Sequence, residues 1–126
     1  MVTSIIPCDA WIEDWLVGVK PKEEAELGKS LILVFSQFWN AKGLDDNSKN
    51  TKYRYSCALH SLGGYLIEQI YDYEMVKYNN EMTTEELLLG YIDADGGPLI
   101  HHNENAWQRE VDAVCKKLYK YLSVGI

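Results

Sequence analysis

Residues Thr51–Tyr73, TKYRYSCALHSLGGYLIEQIYDY, read as one long helix with apolar residues on two sides. At about 100° per residue, Leu59, Leu62, Leu66, Ile70 and Tyr73 stay within about 60° of Tyr55. A second stripe, Tyr53, Cys57, His60, Gly64, Ile67 and Tyr71, falls on the opposite side. Arg54, Ser61, Glu68 and Asp72 share the narrow polar strip between them. A surface helix needs one apolar stripe, whereas a helix with two is expected between neighbours. The stretch is therefore expected to be the central post of an all-α domain, with Leu62 and Leu66 in the core. Gly63-Gly64 costs about 1 kcal/mol of helix propensity per glycine relative to alanine. Leu62, Leu66 and Ile70 keep phase across the pair, so close packing by a neighbouring backbone is expected there rather than a kink.

The flanking chain supplies three or four partners for that post, giving a single compact bundle of four or five helices over residues 1–126. Asp9 is placed to cap a short helix from Ala10 to about Val17, with Trp11, Trp15 and Leu16 facing inward and Gly18 ending it. Pro21 suits the first turn of the next helix, where Glu23, Glu24 and Glu26 lie near the positive end of its dipole. That helix is expected to run to about Lys42, burying Leu27, Leu31, Val34, Phe35, Phe38 and Trp39, with Gly43 closing it. Ser48 or Asn50 is expected to cap the central helix. Tyr73–Glu81 reads as fraying helix and then loop, with Asn79-Asn80 as the stop. Thr83-Thr84-Glu85-Glu86 carries a capping-box signature before a short helix from Thr84 to about Ile92. The last helix spans roughly Glu104 to Leu122, capped by Asn103 or Asn105. Trp107, Val111, Val114, Leu118, Tyr121 and Leu122 share one face of it.

Composition bounds the function. The chain has 126 residues, 47% of them hydrophobic, which suffices for one core without disulfide or metal staples. No apolar run reaches the length of a membrane span, and the N-terminal residues lack the pattern of a secretory signal. Three scattered cysteines, Cys8, Cys57 and Cys115, suggest reduced thiols and a cytoplasmic protein, with Cys57 and Cys115 as small core residues. The net charge is −7, and the acid excess concentrates in residues 68–95.

Among residue types that carry chemistry, the loop Asp93–Glu104, DADGGPLIHHNE, matches an EF-hand calcium loop at its acidic positions 1, 3 and 12 and at Ile100. Gly97 replaces an oxygen ligand and Pro98 takes the place of the turn glycine, so neither calcium nor zinc is expected to bind. A metal-dependent reading of this loop would draw on Asp93, Asp95, His101 and His102, but no His-x-x-x-His pair fixes a geometry. His60 reads as a hydrogen-bonded core histidine rather than a catalytic base. No phosphate loop, nucleophile elbow or convergent carboxylate pair appears, so neither an enzyme nor a cofactor is expected. Two basic groups remain. Arg109, Lys116 and Lys120 share one face of the last helix, with Lys117 alongside, and Lys49, Lys52 and Arg54 cluster with Lys42 at the start of the central helix. Either group suits phosphates, although a solvated face balancing acidic neighbours is the simpler reading.

The run FSQFWNAKGLDDNSKNTKYRYSCALHSLGGYLIEQ resembles the start of the SAM-like core-binding domain of tyrosine recombinases of the phage-integrase type. In that family a helix ends at a Lys/Arg-Gly-Leu turn, and the next carries Ser-x-x-Thr-x-x-x-Tyr, matched here by Ser48, Thr51 and Tyr55. MTTEELLLGYI resembles the family's Thr-x-x-Asp/Glu-Leu helix and VCKKLYKYLSVG its closing helix, so the similarity covers about Leu31 to Gly125. The resemblance implies a DNA-clamping helical module, with recombination chemistry residing in a separate catalytic domain that these residues do not include. This chain departs in its acidic net charge and in DADGGPLIHHNEN, which replaces a polar, often basic turn. The leading expectation is a non-enzymatic helical binding domain with a protein partner. DNA binding is the alternative, and a metal protein using the 93–104 loop is the third.

Overall fold

In the computed structural model, which describes residues 6–72, 82–101 and 104–124, the chain is an all-α bundle. Its helices are α1 (Ala10–Trp15), α2 (Pro21–Ala41), α3 (Lys49–Tyr71), α4 (Thr84–Leu89) and α5 (Asn105–Val124), with a 3-10 turn at Leu44–Asp46. The strand-type pairing among the described residues is one isolated bridge between Asp93 and Gly96. No described helix is long and apolar enough to cross a membrane.

Local chemistry sets most boundaries where the sequence puts them. Pro21 occupies the first turn of α2, where its missing N–H has no partner to lose. All six residues assigned to the inner face of α2 are buried. Gly43 follows in the left-handed conformation and donates its N–H to the Asn40 carbonyl at 3.1 Å. Trp39 then ties the end of α2 to the 3-10 turn, its Nε1–H donating to Asp45 Oδ1 at 2.9 Å. Ser48 caps α3 by accepting the Thr51 N–H at 3.2 Å. Thr83 and Glu86 form the reciprocal capping box at the start of α4, at 3.1 and 3.0 Å.

Several expectations need correction. Asp9 makes no side-chain cap. Leu16 is 38% exposed because α1 stops at Trp15 and turns its successor outward, while Ile12 is buried instead. α4 ends at Leu89 rather than Ile92, although Ile92 still reaches the core. Asn105 is the first helical residue of α5 and not its cap. Asn103, Tyr73 and the loop expected over Tyr73–Glu81 lie outside the described residues. Cys57 is half-buried, whereas Cys115 is fully buried as expected.

α3 packs on α1, α2 and α5, and α2 in turn packs on α1, α3 and α4, so the two long helices share the centre. Leu59, Leu62 and Leu66 have no exposed surface, and every residue from Tyr55 to Tyr71 is buried or half-buried. The second apolar stripe is not a buried seam. Ile67 is buried, but Cys57, His60, Gly64 and Tyr71 are half-buried and Tyr53 is 47% exposed. The reason is length: α1 meets α3 at His60, Gly63 and Gly64, and a six-residue helix covers only about 9 Å.

The glycine pair admits a side chain rather than a backbone. The Trp15 ring lies across Gly63-Gly64, so that a Cβ on Gly63 would overlap the ring and one on Gly64 would sit 3.1 Å from its Cδ1. Trp15 Nε1–H donates to the His60 carbonyl at 2.9 Å. On the other flank of α1, Ile12 packs 3.1 Å from where a Cβ on Gly28 of α2 would lie. α1 thus nests between two helices that each remove a side chain to admit it. The Trp15 ring is held edge-on by Trp11 and Phe35, at 6.1 and 6.4 Å, and cannot easily retreat.

Gly63→Ala is therefore expected to destabilise by about 1–3 kcal/mol through overpacking, overriding the propensity gain of about 1 kcal/mol. Leu66→Ala should cost about 2–5 kcal/mol. Urea unfolding followed by circular dichroism measures both. A Gly63→Ala protein stabilised by its full propensity gain would contradict this packing.

Candidate functional site

Past the end of α1 the molecule opens into a groove of about 800 Å³. One wall is Asp14–Val17, the other is the half-buried side of α3 from His60 to Gln69, and Leu99-Ile100 close one side. Its polar groups are the side chains of Asp14, His60, Ser61, Tyr65, Glu68 and Gln69. Leu16 and Leu99 supply exposed apolar surface on its lining, 38% and 57% accessible.

Each wall is fixed by a separate device. On the α1 side, Asp14 Oδ2 and His60 Nε2 lie 3.0 Å apart, joining α1 to α3. The imidazole is flanked edge-on by Trp11, with ring centroids 5.3 Å apart. His60 is hydrogen-bonded as expected from sequence, but it stands half-buried at the groove wall rather than in the core, and its carboxylate partner orients it. Just beyond, Glu24 holds the α1–α2 connection. Its carboxylate is fully buried and accepts N–H bonds from Val17 at 2.7 Å, Gly18 at 3.1 Å and Lys20 at 2.6 Å. Burial is the largest influence on this carboxyl and pushes it up. The backbone donors of Lys20, Gly18, Val17 and Val19 together outweigh burial and hold it below the usual carboxylate range. Sequence reading places Glu24 at the helix dipole but misses this role. A glutamate in the first turn after a Gly-containing connector is the available signal.

On the far side, Gln108 of α5 staples the loop. Its Oε1 accepts from the Ile100 and His101 N–H groups, both at 2.9 Å, and its Nε2–H donates to the Pro98 carbonyl at 3.0 Å. Asp112 accepts from Gly97 N–H at 3.2 Å and from Gln108 at 3.1 Å. Gly96 and Gly97 lie so close to α5 that a Cβ on either would meet Asp112 or Cys115. Burial, aided by Asp112 and Asp93, pushes the Cys115 thiol up to about 12, so it stays protonated and inert.

Within the 93–104 loop, Asp93 spends its carboxylate on its own turn. Asp93 Oδ1 accepts the N–H groups of Asp95 at 2.8 Å and Gly96 at 3.0 Å. Among the described residues no three His, Cys, Asp or Glu side chains come together, and His102 lies outside those residues.

The two basic groups sit on packed helices. The first turns of α3 cross α5: Tyr53 stacks edge-on with Trp107, Arg54 lies 3.9 Å from Glu110, and Lys117 lies over the Tyr55 ring. Lys49, Arg54, Arg109, Lys116 and Lys120 are exposed, and Lys52 is half-buried. Lys116, Lys117 and Lys120 border a shallow depression of about 510 Å³ together with Ala94, which places the acidic Asp93–Asp95 turn beside them.

Glu24→Gln should lower stability by about 1–3 kcal/mol, since it replaces the buried charged acceptor of three backbone N–H groups. The sign with pH follows from the depressed carboxyl. Its contribution is fully present above the ordinary glutamate value of 4.5 and is lost as pH falls through the lower folded value. The wild type should therefore lose stability below that point more steeply than Glu24→Gln, as read from urea midpoints between neutral and acid pH.

No protein-family model, curated protein or solved structure matches this chain.

Proposed function

We propose that this chain is a non-enzymatic helical binding domain whose partner seats in the groove between α1, α3 and the Leu99-Ile100 loop. The observation that carries this reading is the groove itself. It is concave, it mixes polar groups with apolar surface, and its walls are tied by hydrogen bonds on both sides. Leucines left exposed beside a concavity mark contact surface more than scattered ones do. His60 and Asp14 serve there to fix a wall.

DNA binding through Lys49, Lys52, Arg54, Arg109, Lys116 and Lys120 is the second reading, and the recombinase resemblance belongs with it. The exposed lysine face of α5 favours it. The Asp93–Asp95 turn beside Lys116 and Lys120 works against it, because carboxylates at that edge repel phosphates.

Both readings meet in one set of amide chemical-shift titrations. A library of small soluble fragments should shift Ser61, Gly64, Tyr65, Gln69 and Leu99. Duplex DNA at about 50 mM salt should shift nothing. Fragment hits confined to other surfaces would overturn the groove reading. DNA-induced shifts around Lys116 that vanish at about 200 mM salt, and in Lys116→Glu with Lys120→Glu, would establish the alternative.

A further inference from the structure

We propose that the groove receives a basic, leucine-bearing segment of a partner protein, with its cationic side chains directed at Asp14 and Glu68. This deepens the groove reading and rests on it. The lining carries the carboxylates of Asp14 and Glu68 and no lysine or arginine, on a chain of net charge −7. Among the described residues Asp14 is engaged through Oδ2 alone, and Glu68 has no ion-pair partner. The Asp14 side chain keeps 37% of its surface exposed. The unpaired Glu68 carboxylate on one wall, and the second oxygen of Asp14 on the other, whose Oδ2 is taken by His60, therefore hold negative potential inside a concave, partly apolar space, where low-dielectric walls strengthen it. A lone amine would satisfy that charge but leave Leu16 and Leu99 wet. A segment that alternates basic and leucine-type side chains satisfies both features, and about 800 Å³ accommodates several such side chains. Lysine and arginine stems would also lie well along the Leu16 and Leu99 surfaces, with their charged heads beyond.

Fluorescence anisotropy with labelled twelve-residue peptides tests this, using the intact chain. One peptide alternates leucine with lysine and arginine, a second replaces the basic residues with glutamate, and a third uses glutamine; unlabelled spermine competes as the small amine. The basic peptide should bind, and the other two at least about tenfold more weakly. Asp14→Asn with Glu68→Gln should weaken the basic peptide by about tenfold. Removing two exposed carboxylates elsewhere, Glu85→Gln with Glu104→Gln, should change it by less than about twofold. Leu99→Ser, on an exposed loop residue, should weaken it without affecting the fold. Equal binding of the glutamate or glutamine peptide, with amide shifts at Ser61, Gly64 and Gln69, would overturn the basic chemistry and leave the groove reading standing. So would equal losses in both carboxylate pairs, or displacement by spermine as effective as by unlabelled basic peptide. No shift at those three residues with any peptide would overturn both.

Discussion

The contact on which the rest of this molecule depends is the Trp15 indole laid across Gly63-Gly64. A helix of six residues is far too short to form alone in water, so α1 exists because its side chains are buried. Trp11, Ile12 and Trp15 supply that burial, and Gly28 and Gly63 supply the room. The bond from Trp15 Nε1–H to the His60 carbonyl removes the remaining polar cost of burying an indole. Once Trp15 is seated, Asp14 meets His60 and Leu16 is turned out beside the groove. Glu24 then fixes the connection that follows. A penalty of about 1 kcal/mol in helix propensity at each glycine thus creates both a close helix contact and the edge of the candidate site.

How much of this the sequence discloses depends on whether a feature is local. Pro21, Gly43, Ser48 and the Thr83–Glu86 capping box act within a few residues, and each does in the structure what its spacing says. The inner faces of α2 and α5 are legible because apolar residues sustained at spacings of three and four fit an amphipathic helix and little else, although Trp107 and Tyr121 near the two ends of the α5 face are only half-buried. The second stripe of α3 misleads for a physical reason. Periodicity reports which side of a helix is apolar, but not how long its neighbour is. The half-buried wall of a groove is built from the same residue types as a buried seam. Tyr53, Cys57, His60, Gly64 and Tyr71 accordingly look like core in sequence and form the partly covered side in the fold.

The site itself is scarcely legible in the sequence. Asp14 and His60 are 46 residues apart and no spacing rule pairs them. Gln108 carries no local signal, yet it fixes a loop through a carbonyl ten residues earlier, that of Pro98. The basic groups can be named from sequence because like charges at helical spacing are visible there. Their acidic neighbours cannot, since it is the Asp112 and Gln108 bonds that fold the Asp93–Asp95 turn onto α5. The same turn accounts for one position of the resemblance to a calcium loop: Asp93 stands at the first place because it closes an Asx turn on its own backbone.

The seating of Trp15 can be measured directly by hydrogen exchange of its indole N–H, followed in nitrogen-labelled protein. If that proton is held by the His60 carbonyl beneath a closed α1, it exchanges only when α1 leaves α3. Its protection should then approach that of the Leu62 and Leu66 amides in the centre of α3. An indole proton that exchanges like an exposed one while those amides stay protected would contradict the account, because α1 would not be locked to α3 and the groove would have no fixed wall.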